Sequence, residues 1–238
     1  MRFGVPHRHF RRTDSTNTRA RELAAAGAPG GTVVTAAEQT AGRGRHGRNW
    51  SAPPDRALLY SALLRPLEER HMTLPLAVPL AVCEVAEQLR PGVECGVKWP
   101  NDVHLEGRKL AGVLIEARPQ DGWAAIGVGL NLTIAPGEFP PGLRQTAISL
   151  LPDPGQAWGS AAAAKATLDE ALERWVEAEQ AEVLEAWRRR DVLRGREVSW
   201  DGGSGVAGGI DDRGYLVVIT SGGGRVALGA GEVHLTVR

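Results

Sequence analysis

The segment CGVKWPNDVHLEGRKLAGVLIEARPQDGWAAIGVGLNL, residues 95–132, decides the fold class of this 238-residue chain. It contains four short apolar runs separated by turn residues: CGVKW, NDVHL, KLAGVLIEA and WAAIGVGLNL. Short β-branched runs between turns are typical of strands. Glu106-Gly107-Arg108 has the composition of a hairpin turn between two of them. The segment therefore predicts adjacent, mostly antiparallel strands of one sheet.

The residues ahead of this segment predict helices and further strands. Residues 14–31 indicate a capped helix that glycine and proline end. Residues 32–36 and 56–64 have the β-branched and apolar composition of strands. Residues 73–92 predict a largely buried helix. Pro79 is unfavourable there and is expected to kink it, because proline removes a helical hydrogen bond. The first residues of the chain form a short arm with no predicted element.

Beyond the segment, the amino-acid composition of the sequence changes twice. A proline-rich loop, residues 136–154, leads to one long helix, residues 160–190, with an apolar stripe at helical spacing: Leu168, Leu172, Trp175, Val176, Val183 and Trp187. From Asp191 the chain is glycine-rich and has five β-like runs: REVSW, GVAGGI, YLVVI, RVAL and EVHLTV. Such spacing suits a small barrel. The sequence thus predicts an α/β domain, residues 1–190, and a small all-β domain, residues 191–238.

Composition limits the classes of function. The chain has 28 basic and 28 acidic side chains, whereas proteins that coat DNA or anionic membranes are usually strongly basic. The N-terminus lacks the apolar core of a signal peptide, and no unbroken run reaches the roughly 18 apolar residues of a membrane span. Cys83 and Cys95 make no disulfide framework, and the histidines have no paired zinc spacing. We therefore expect a cytoplasmic protein with reduced, buried thiols and no membrane or zinc site.

The basic loop TAGRGRHGRNW, residues 40–50, admits three hypotheses. Its G-x-G-x-x-G match, residues 42–47, fails as a dinucleotide fingerprint because NWSAPP follows where that motif requires a helix. A nucleic-acid arm is possible because arginines neutralise phosphates, but the chain is neutral overall and too short ahead of Asp14 for a helix-turn-helix domain.

The third hypothesis is a loop that closes over a charged reaction intermediate. Glycines let backbone N–H groups approach an anion closely. Arginines bind carboxylate and phosphate oxygens through forked hydrogen bonds. Trp50 offers a flat face on which a base can stack.

Together with its surroundings, this loop resembles that of the biotin protein ligases. The resemblance rests on motifs in the family's order that cover essentially the whole chain: DSTN (14–17), EQTAGRGRHGRNW (38–50), KWPNDV (98–103), KLAGVLIE (109–116), GVGLNL (127–132) and GEV (231–233). It implies a mixed sheet flanked by helices, related to the class II synthetase catalytic domain, and a C-terminal SH3-like β-barrel. It also implies that biotin and Mg-ATP give biotinyl-5′-adenylate. Biotin then passes to one lysine of the biotin carboxyl carrier protein of acetyl-CoA carboxylase or a related carboxylase.

The same resemblance implies roles for individual side chains. Groups similar to those that hold the ureido ring of biotin are Ser15, Thr16, Asn17 and Gln39. A helix cap formed by Asp14 or Ser15 is the other interpretation, and the two roles of Ser15 are compatible. The loop segment implied to close over biotin and the phosphates comprises Gly42, Arg43, Gly44 and Arg45. Gly112 would give the biotin tail room against the backbone.

Catalysis and nucleotide binding are assigned by the same resemblance. Lys109 would bridge the biotin carboxylate and the α-phosphate, with further catalytic cations at Arg45, Arg48 and Lys98. Arg48 would lie on the pyrophosphate side, and Lys98 contacts a phosphate or forms a structural ion pair. The expected nucleotide contacts are Trp50, which stacks on adenine, Asn101 and Asn131. Asp102 orients the incoming lysine or helps to hold Mg²⁺, and the role of His46 is open.

Two alternatives remain beside the biotin ligase. A lipoate or octanoyl protein ligase shares the fold and the adenylate chemistry, but its nucleotide loop differs from GRGRHGRNW. A non-catalytic nucleic-acid-binding protein would use the basic loop and the terminal barrel. Because the chain has no room for an N-terminal DNA-binding domain, we expect a monofunctional ligase without a DNA partner. The resemblance leaves open whether it is a monomer or a homodimer.

Overall fold

The computed structural model describes residues 1–151, 157–229, 231 and 233–235, without the side chains of residues 157–159. Its main element is a seven-stranded sheet in the order β1-β2-β3-β7-β6-β5-β4. The strands are β1 (His7–Thr13), β2 (Val33–Gln39), β3 (Ala57–Leu64), β4 (Cys95–Lys98), β5 (Asp102–Leu105), β6 (Arg108–Arg118) and β7 (Trp123–Asn131). Neighbouring strands pair antiparallel except β1 and β2, which are parallel. The predicted mixed sheet is confirmed.

The hairpin between β5 and β6 lies where the sequence predicted it. Glu106 and Gly107 both have positive φ, 52° and 74°. A two-residue turn with two positive φ angles matches the right-handed twist of the flanking strands. This turn sets the register that places the cavity-lining residues of β5 and β6 side by side.

The N-terminal arm is a strand, not an unstructured segment. Residues His7–Thr13 pair in parallel with β2 at the edge of the sheet. The run HRHFRRT is largely exposed and polar. Hydrophobic alternation therefore gave no strand signal, and main-chain pairing with β2 supplies the structure instead.

Helices cover the two faces of the sheet unequally. The helix α1 (Thr16–Ala25) packs on β2, β3 and β7 from one side, around Ala20, Ala24 and Val34. On the other side lie α2 (Leu74–Leu89), α3 (Ala157–Glu177) and α4 (Gln180–Arg189), which form the larger core with the sheet. Pro79 lies inside α2 without ending it. Within the described residues, the segment Glu69–Leu89 is long and apolar enough to cross a membrane, but 61% of its window is buried in this core.

The prediction of one long helix over residues 160–190 is wrong in one respect. It is two helices, because Glu179 adopts an extended backbone with φ −63° and ψ 143° at the start of α4. Both helices nevertheless bury the predicted stripe, which includes Leu168, Leu172, Val183 and Trp187. The apolar period continues across the break, so the sequence pattern could not reveal it. The proline-rich loop before these helices is described only as far as residue 151. This described part contains two short 3-10 turns, Pro136–Glu138 and Pro141–Leu143.

The C-terminal residues form a second, five-stranded antiparallel sheet in the order β11-β10-β9-β8-β12. Its strands are β8 (Glu197–Trp200), β9 (Gly203–Ile210), β10 (Leu216–Ile219), β11 (Arg225–Leu228) and β12 (His234–Leu235). Its two edge strands, β11 and β12, do not pair over the residues described, so the sheet is open there. Parts of the last predicted run, EVHLTV, and Glu232 of the GEV motif lie outside the described residues.

The two sheets share one continuous core. Val198, Leu216 and Val218 of the small sheet belong to the same buried cluster as α2 and the large sheet. Polar contacts also join them: the indole of Trp99 donates to the carbonyl of Gly214 at 3.1 Å. The small sheet is therefore packed firmly against its larger neighbour.

Candidate active site

A cavity of about 810 Å³ lies on the same face of the large sheet as α1. This size is in the usual range for small-molecule sites. Among the residues that line it are all but one of those predicted for the site: Ser15, Thr16, Asn17, Gln39, Arg43, Gly44, Arg45, Arg48, Trp50, Lys98, Asn101, Asp102, Lys109, Gly112 and Asn131. Segments far apart in sequence thus meet at one place. The exception is Gly42, which is buried behind the lining.

Three glycines create the floor of this cavity. A Cβ added at Gly129 would lie 2.4 Å from the indole of Trp50, and one at Gly127 would lie 2.4 Å from Asn17 Oδ1. A Cβ at Gly112 would meet Trp50 at 3.2 Å and the side chain of Lys109 at 3.4 Å. None of the three has a positive φ. They are required for close approach rather than for backbone conformation, and Gly112 makes room for Trp50 and Lys109.

A β-bulge brings Lys109 to the cavity face. Strand β6 shifts register against β5, so that Ala111 pairs with Val103 but Lys109 pairs with His104. Successive strand residues point to opposite faces, so a regular strand would turn Lys109 away from the face of Gly112. The extra residue, Leu110, restores Lys109 to that face and is itself fully buried.

The ammonium of Lys109 is held by an ion pair. Its Nζ lies 2.7 Å from Asp102 Oδ1 and 5.9 Å from the centre of the Trp50 ring. The side chains of Lys109 and Asp102 are 33% and 18% exposed, so the pair is partly shielded from water. This ion pair with Lys109 was not predicted for Asp102, and it tests neither predicted role, orientation of the incoming lysine or help in holding Mg²⁺.

The polar end of the cavity is a connected hydrogen-bond network. Gln39 Oε1 accepts from the backbone N–H of Thr16 at 2.7 Å and from its hydroxyl at 3.0 Å. Ser61 Oγ lies 2.8 Å from Thr16 Oγ1 and 2.5 Å from Asn17 Oδ1. Ser15, Thr16, Asn17 and Ser61 are all buried. Ser15 occupies the N-cap position of α1, but its hydroxyl makes no capping bond.

The contacts that hold the basic loop, residues 40–50, over the cavity include hydrogen bonds of its own backbone and one to a side-chain amide. The backbone N–H of Trp50 donates to the carbonyl of Gly42 at 2.9 Å, and the backbone N–H of Gly44 donates to the carbonyl of Arg48 at 2.7 Å. Arg45 donates to Asn101 Oδ1 at 3.3 Å. His46 is exposed with φ 53°, a left-handed conformation at the tip of the loop, so its place is a turn position rather than the cavity lining.

Asn101 and Asn131 use their amides to fix the backbone around the cavity. Asn101 donates to the carbonyl of Val113 at 2.7 Å. Asn131 donates to that of Ile148 at 3.1 Å. Each side chain also lines the cavity, so a structural contact and a ligand contact are compatible at both positions.

A smaller cavity of about 50 Å³ adjoins the cationic side of the site. Arg45, Arg48 and Lys98 line it together with Val233 and His234 of the C-terminal segment. Since the main cavity also reaches Arg196 and Leu235, the small sheet closes one end of the site. Sequence patterns had assigned the terminal domain no site residue.

His104 is a further lining residue that the sequence did not single out. Burial is the main reason why its pKa lies below the ordinary value, with Lys98 and Lys109 acting in the same direction and Asp102 against it. An imidazole with a lowered pKa is neutral at pH 7. His104 therefore adds no positive charge beside the two lysines.

Comparison with known proteins decides the family. The sequence profile of the Biotin/lipoate A/B protein ligase family matches residues 9–132. The chain is 39% identical over 240 residues to the biotin–[acetyl-CoA-carboxylase] ligase of Mycobacterium tuberculosis (strain ATCC 25618 / H37Rv), which covers 94% of this chain and 86% of the relative. The chain belongs to the biotin/lipoate A/B protein ligase family.

Two further relatives of this ligase family cover nearly the whole chain. The biotin–[acetyl-CoA-carboxylase] ligase of Paracoccus denitrificans is 34% identical over 93% of this chain and 97% of its own length. The structure of biotin protein ligase from Aquifex aeolicus in complex with biotin and ATP superposes with a TM-score of 0.79 at 27% identity. It covers 98% of this chain and 99% of that chain.

Several residues that line the candidate site, or lie directly behind its lining, were outside the sequence prediction. They are Ser61, His104, Glu116, Gly127, Gly129 and Arg196. The alternating glycines of GVGLNL, residues 127–132, were a usable signal, because glycine within a strand indicates close approach of another group. Ser61 and Arg196 gave none, since Ser61 is a single polar residue within an apolar strand and Arg196 is a single polar residue just ahead of β8.

Proposed function

We propose that this protein is a biotin protein ligase that forms biotinyl-5′-AMP from biotin and ATP and then transfers biotin to a lysine of a biotin carboxyl carrier protein. The observation that carries the proposal is the single cavity in which a polar network, a glycine-lined floor and a group of cations converge. The polar network suits the bicyclic ureido group of biotin, the glycine-lined floor suits its aliphatic tail, and the cations suit the phosphates of a nucleotide.

The polar network would recognise the ureido ring. Buried Thr16 and Asn17 and half-buried Gln39, with Ser15 beside them, offer polar groups to a ring with two N–H groups and one carbonyl. Buried polar groups left without partners are costly, so this end of the cavity favours a polar ring. The dithiolane of lipoate has no such groups, which disfavours the lipoate alternative.

In the first step, a carboxylate oxygen of biotin attacks the α-phosphorus of ATP and pyrophosphate leaves. Two anions must meet, so cations aimed at the reacting oxygens lower the barrier. We assign Lys109 to the biotin carboxylate and α-phosphate, and Arg45, Arg48 and Lys98 to the phosphates. Asp102 fixes the direction of Lys109 through their ion pair. Mg²⁺ would arrive as part of the substrate Mg-ATP, because Asp102 is the only carboxylate among the described cavity-lining residues.

Trp50 and the loop, residues 40–50, would hold and protect the adenylate. The indole rests on the glycine floor and is only partly buried, so an adenine can stack on it. Asn101 and Asn131 are assigned to the nucleotide as well. The mixed anhydride hydrolyses in water, and a loop that covers it limits that loss.

In the second step, the amine of a carrier lysine attacks the biotinyl carbonyl and AMP leaves. We infer that residues 1–190 are the catalytic domain, related to the class II synthetases, and that residues 191–238 are an SH3-like module. Its residues Arg196 and Leu235 lie at the cavity, where it could guide the carrier. Because the reaction uses ATP and both buried cysteines are free thiols, we place the enzyme in the cytoplasm.

Pyrophosphate release from Mg-ATP tests this function directly. We expect release that depends on biotin, and none above background with lipoate. Release with lipoate alone would move the protein to the neighbouring ligase activity. No release with either, from folded protein, would contradict adenylation altogether.

A further inference from the structure

Glu116, at the far end of β6 from Lys109, joins three parts of the molecule. Its Oε2 accepts from Asn17 Nδ2 at 2.9 Å and from Arg43 at 2.6 Å. Its Oε1 accepts from Arg21 of α1 at 3.2 Å. Glu116 does not itself line the cavity, although Asn17 and Arg43 do. Whatever it contributes to the site therefore passes through these two neighbours.

The first consequence concerns the amide of Asn17. Its Nδ2 donates to Glu116 and to the carbonyl of Leu114, at 2.9 and 3.3 Å. Both amide hydrogens thus have partners on β6, so the amide cannot rotate to offer a donor to a ligand. Asn17 Oδ1 is left facing Ser61 and the glycine floor at Gly127. The cavity receives an acceptor at this point, suited to a ligand N–H.

The second consequence concerns the basic loop, residues 40–50. Arg43 lines the cavity at the start of the covering part of the loop, and its guanidinium is bound to Glu116. The described contacts that tie the loop to the sheet through side chains include this ion pair and the Arg45–Asn101 hydrogen bond. The side chains of Arg43 and Glu116 are 38% and 25% exposed, so the pair is partly screened by water and of modest strength.

We propose that Glu116 is a positioning residue that couples ligand recognition to loop closure, by holding Asn17 as an acceptor and tethering Arg43 with the same carboxylate oxygen. The part of this inference that concerns biotin rests on the proposed function. The tether itself does not, because it is a contact between two side chains of the protein. Arg43 accordingly acts as the anchor of the loop, in addition to any contact with phosphate.

Glu116→Gln is the variant that tests the coupling, and Arg21→Ala is its matched control. The first keeps the shape of the side chain and removes the charge that Arg43 and Asn17 share. The second removes a cation from the same carboxylate but leaves the loop and the cavity untouched. Thermal unfolding of both variants establishes that each is folded.

Limited proteolysis of the ligand-free protein measures the tether. Trypsin can cut after Arg43, Arg45 or Arg48 only when the loop opens locally. We expect trypsin to cut the loop of Glu116→Gln about fivefold faster than that of the wild-type protein. Arg21→Ala should be cut at the wild-type rate. Equal cutting of all three proteins, or equally faster cutting of both variants, would overturn the tether.

Enzyme kinetics measures the coupling to recognition. For Glu116→Gln we expect the KM for biotin to rise about fivefold and preformed adenylate to escape about fivefold faster, while kcat for pyrophosphate release changes little. A fall in kcat alone, or a KM equal to that of the unchanged protein, would overturn the proposal. Absence of biotin-dependent release in the unchanged protein would instead reject the proposed function, and the proteolysis result would still stand.

Discussion

The two faces of the large sheet are built from alternate residues of the same strands, yet one face is packed and the other is open. On one face, Leu58, Leu64, Ile126 and Leu130 fill the space beneath α2 and α3. On the other, the intervening positions of β6 and β7 include Gly112, Gly127 and Gly129, and a cavity remains. Side chains of a strand alternate between faces, so one run of sequence can build a packed core and an open site together. The cavity arises where side chains are left out.

The largest effect should come from removing the cation that the β-bulge brings to the open face. Lys109→Ala should lower the rate of adenylate formation about 10³-fold, because it removes the charge that we assign to the reacting oxygens. Biotin-dependent pyrophosphate release measures this rate. Arg108→Ala, an exposed neighbour on the same strand, is the control and should leave the rate unchanged. Comparable losses in both variants would mean that the bulge has no special role.

Filling the open face should separate activity from stability. Gly129→Val puts a side chain where the Trp50 ring lies and should lower adenylation about 10²-fold, since small displacements at a site are costly. Leu130→Ala, one residue away on the packed face and outside the described cavity lining, should keep its KM for ATP but lose about 3 kcal/mol of unfolding free energy. Kinetics and denaturant unfolding of both variants measure the contrast. If the two variants lost the same property, the division between the faces would be wrong.

Opening the loop over the cavity should have a smaller effect than filling its floor. Arg45→Ala removes the hydrogen bond to Asn101 and a cation that we propose binds phosphate, so adenylate should escape about tenfold faster. Retention of labelled adenylate on a desalting column measures the escape. His46→Asn is the control, because asparagine tolerates the left-handed backbone at this exposed position. Unchanged retention in Arg45→Ala would show that this loop is not the cover.

The smallest effect concerns acid stability, to which His104 on the open face contributes. Burial lowers the pKa of His104 in the folded chain, whereas the unfolded chain protonates near pH 6.5. The unfolded state therefore binds more protons below about pH 6.5, and stability falls as the pH drops through that value. His104→Gln should reduce the loss of Tm between about pH 7.5 and about pH 5.5 by about 2 °C. An unchanged loss would mean that His104 titrates normally.

Sequence patterns predicted most elements because local composition agrees with the fold over long stretches. The strands of residues 95–132, the hairpin at Glu106 and the buried helix α2 follow from apolar runs and turn residues. Strand β1 could not be predicted, because an exposed polar edge strand has no apolar alternation. The break at Glu179 was missed for the opposite reason, since the apolar period continues through it.

The sequence by itself determined which chemical groups the site contains, because its motifs carry cations, amides and glycines in a fixed order. Tertiary structure alone decided how they act. The register shift beside Leu110 turns Lys109 toward Asp102 and the cavity. The approach of α1 and the loop to the end of β6 makes Glu116 their common partner. Local composition encodes residue chemistry and strand period, whereas a bulge and a contact between residues about 70 to 100 positions apart depend on the energy of the whole fold.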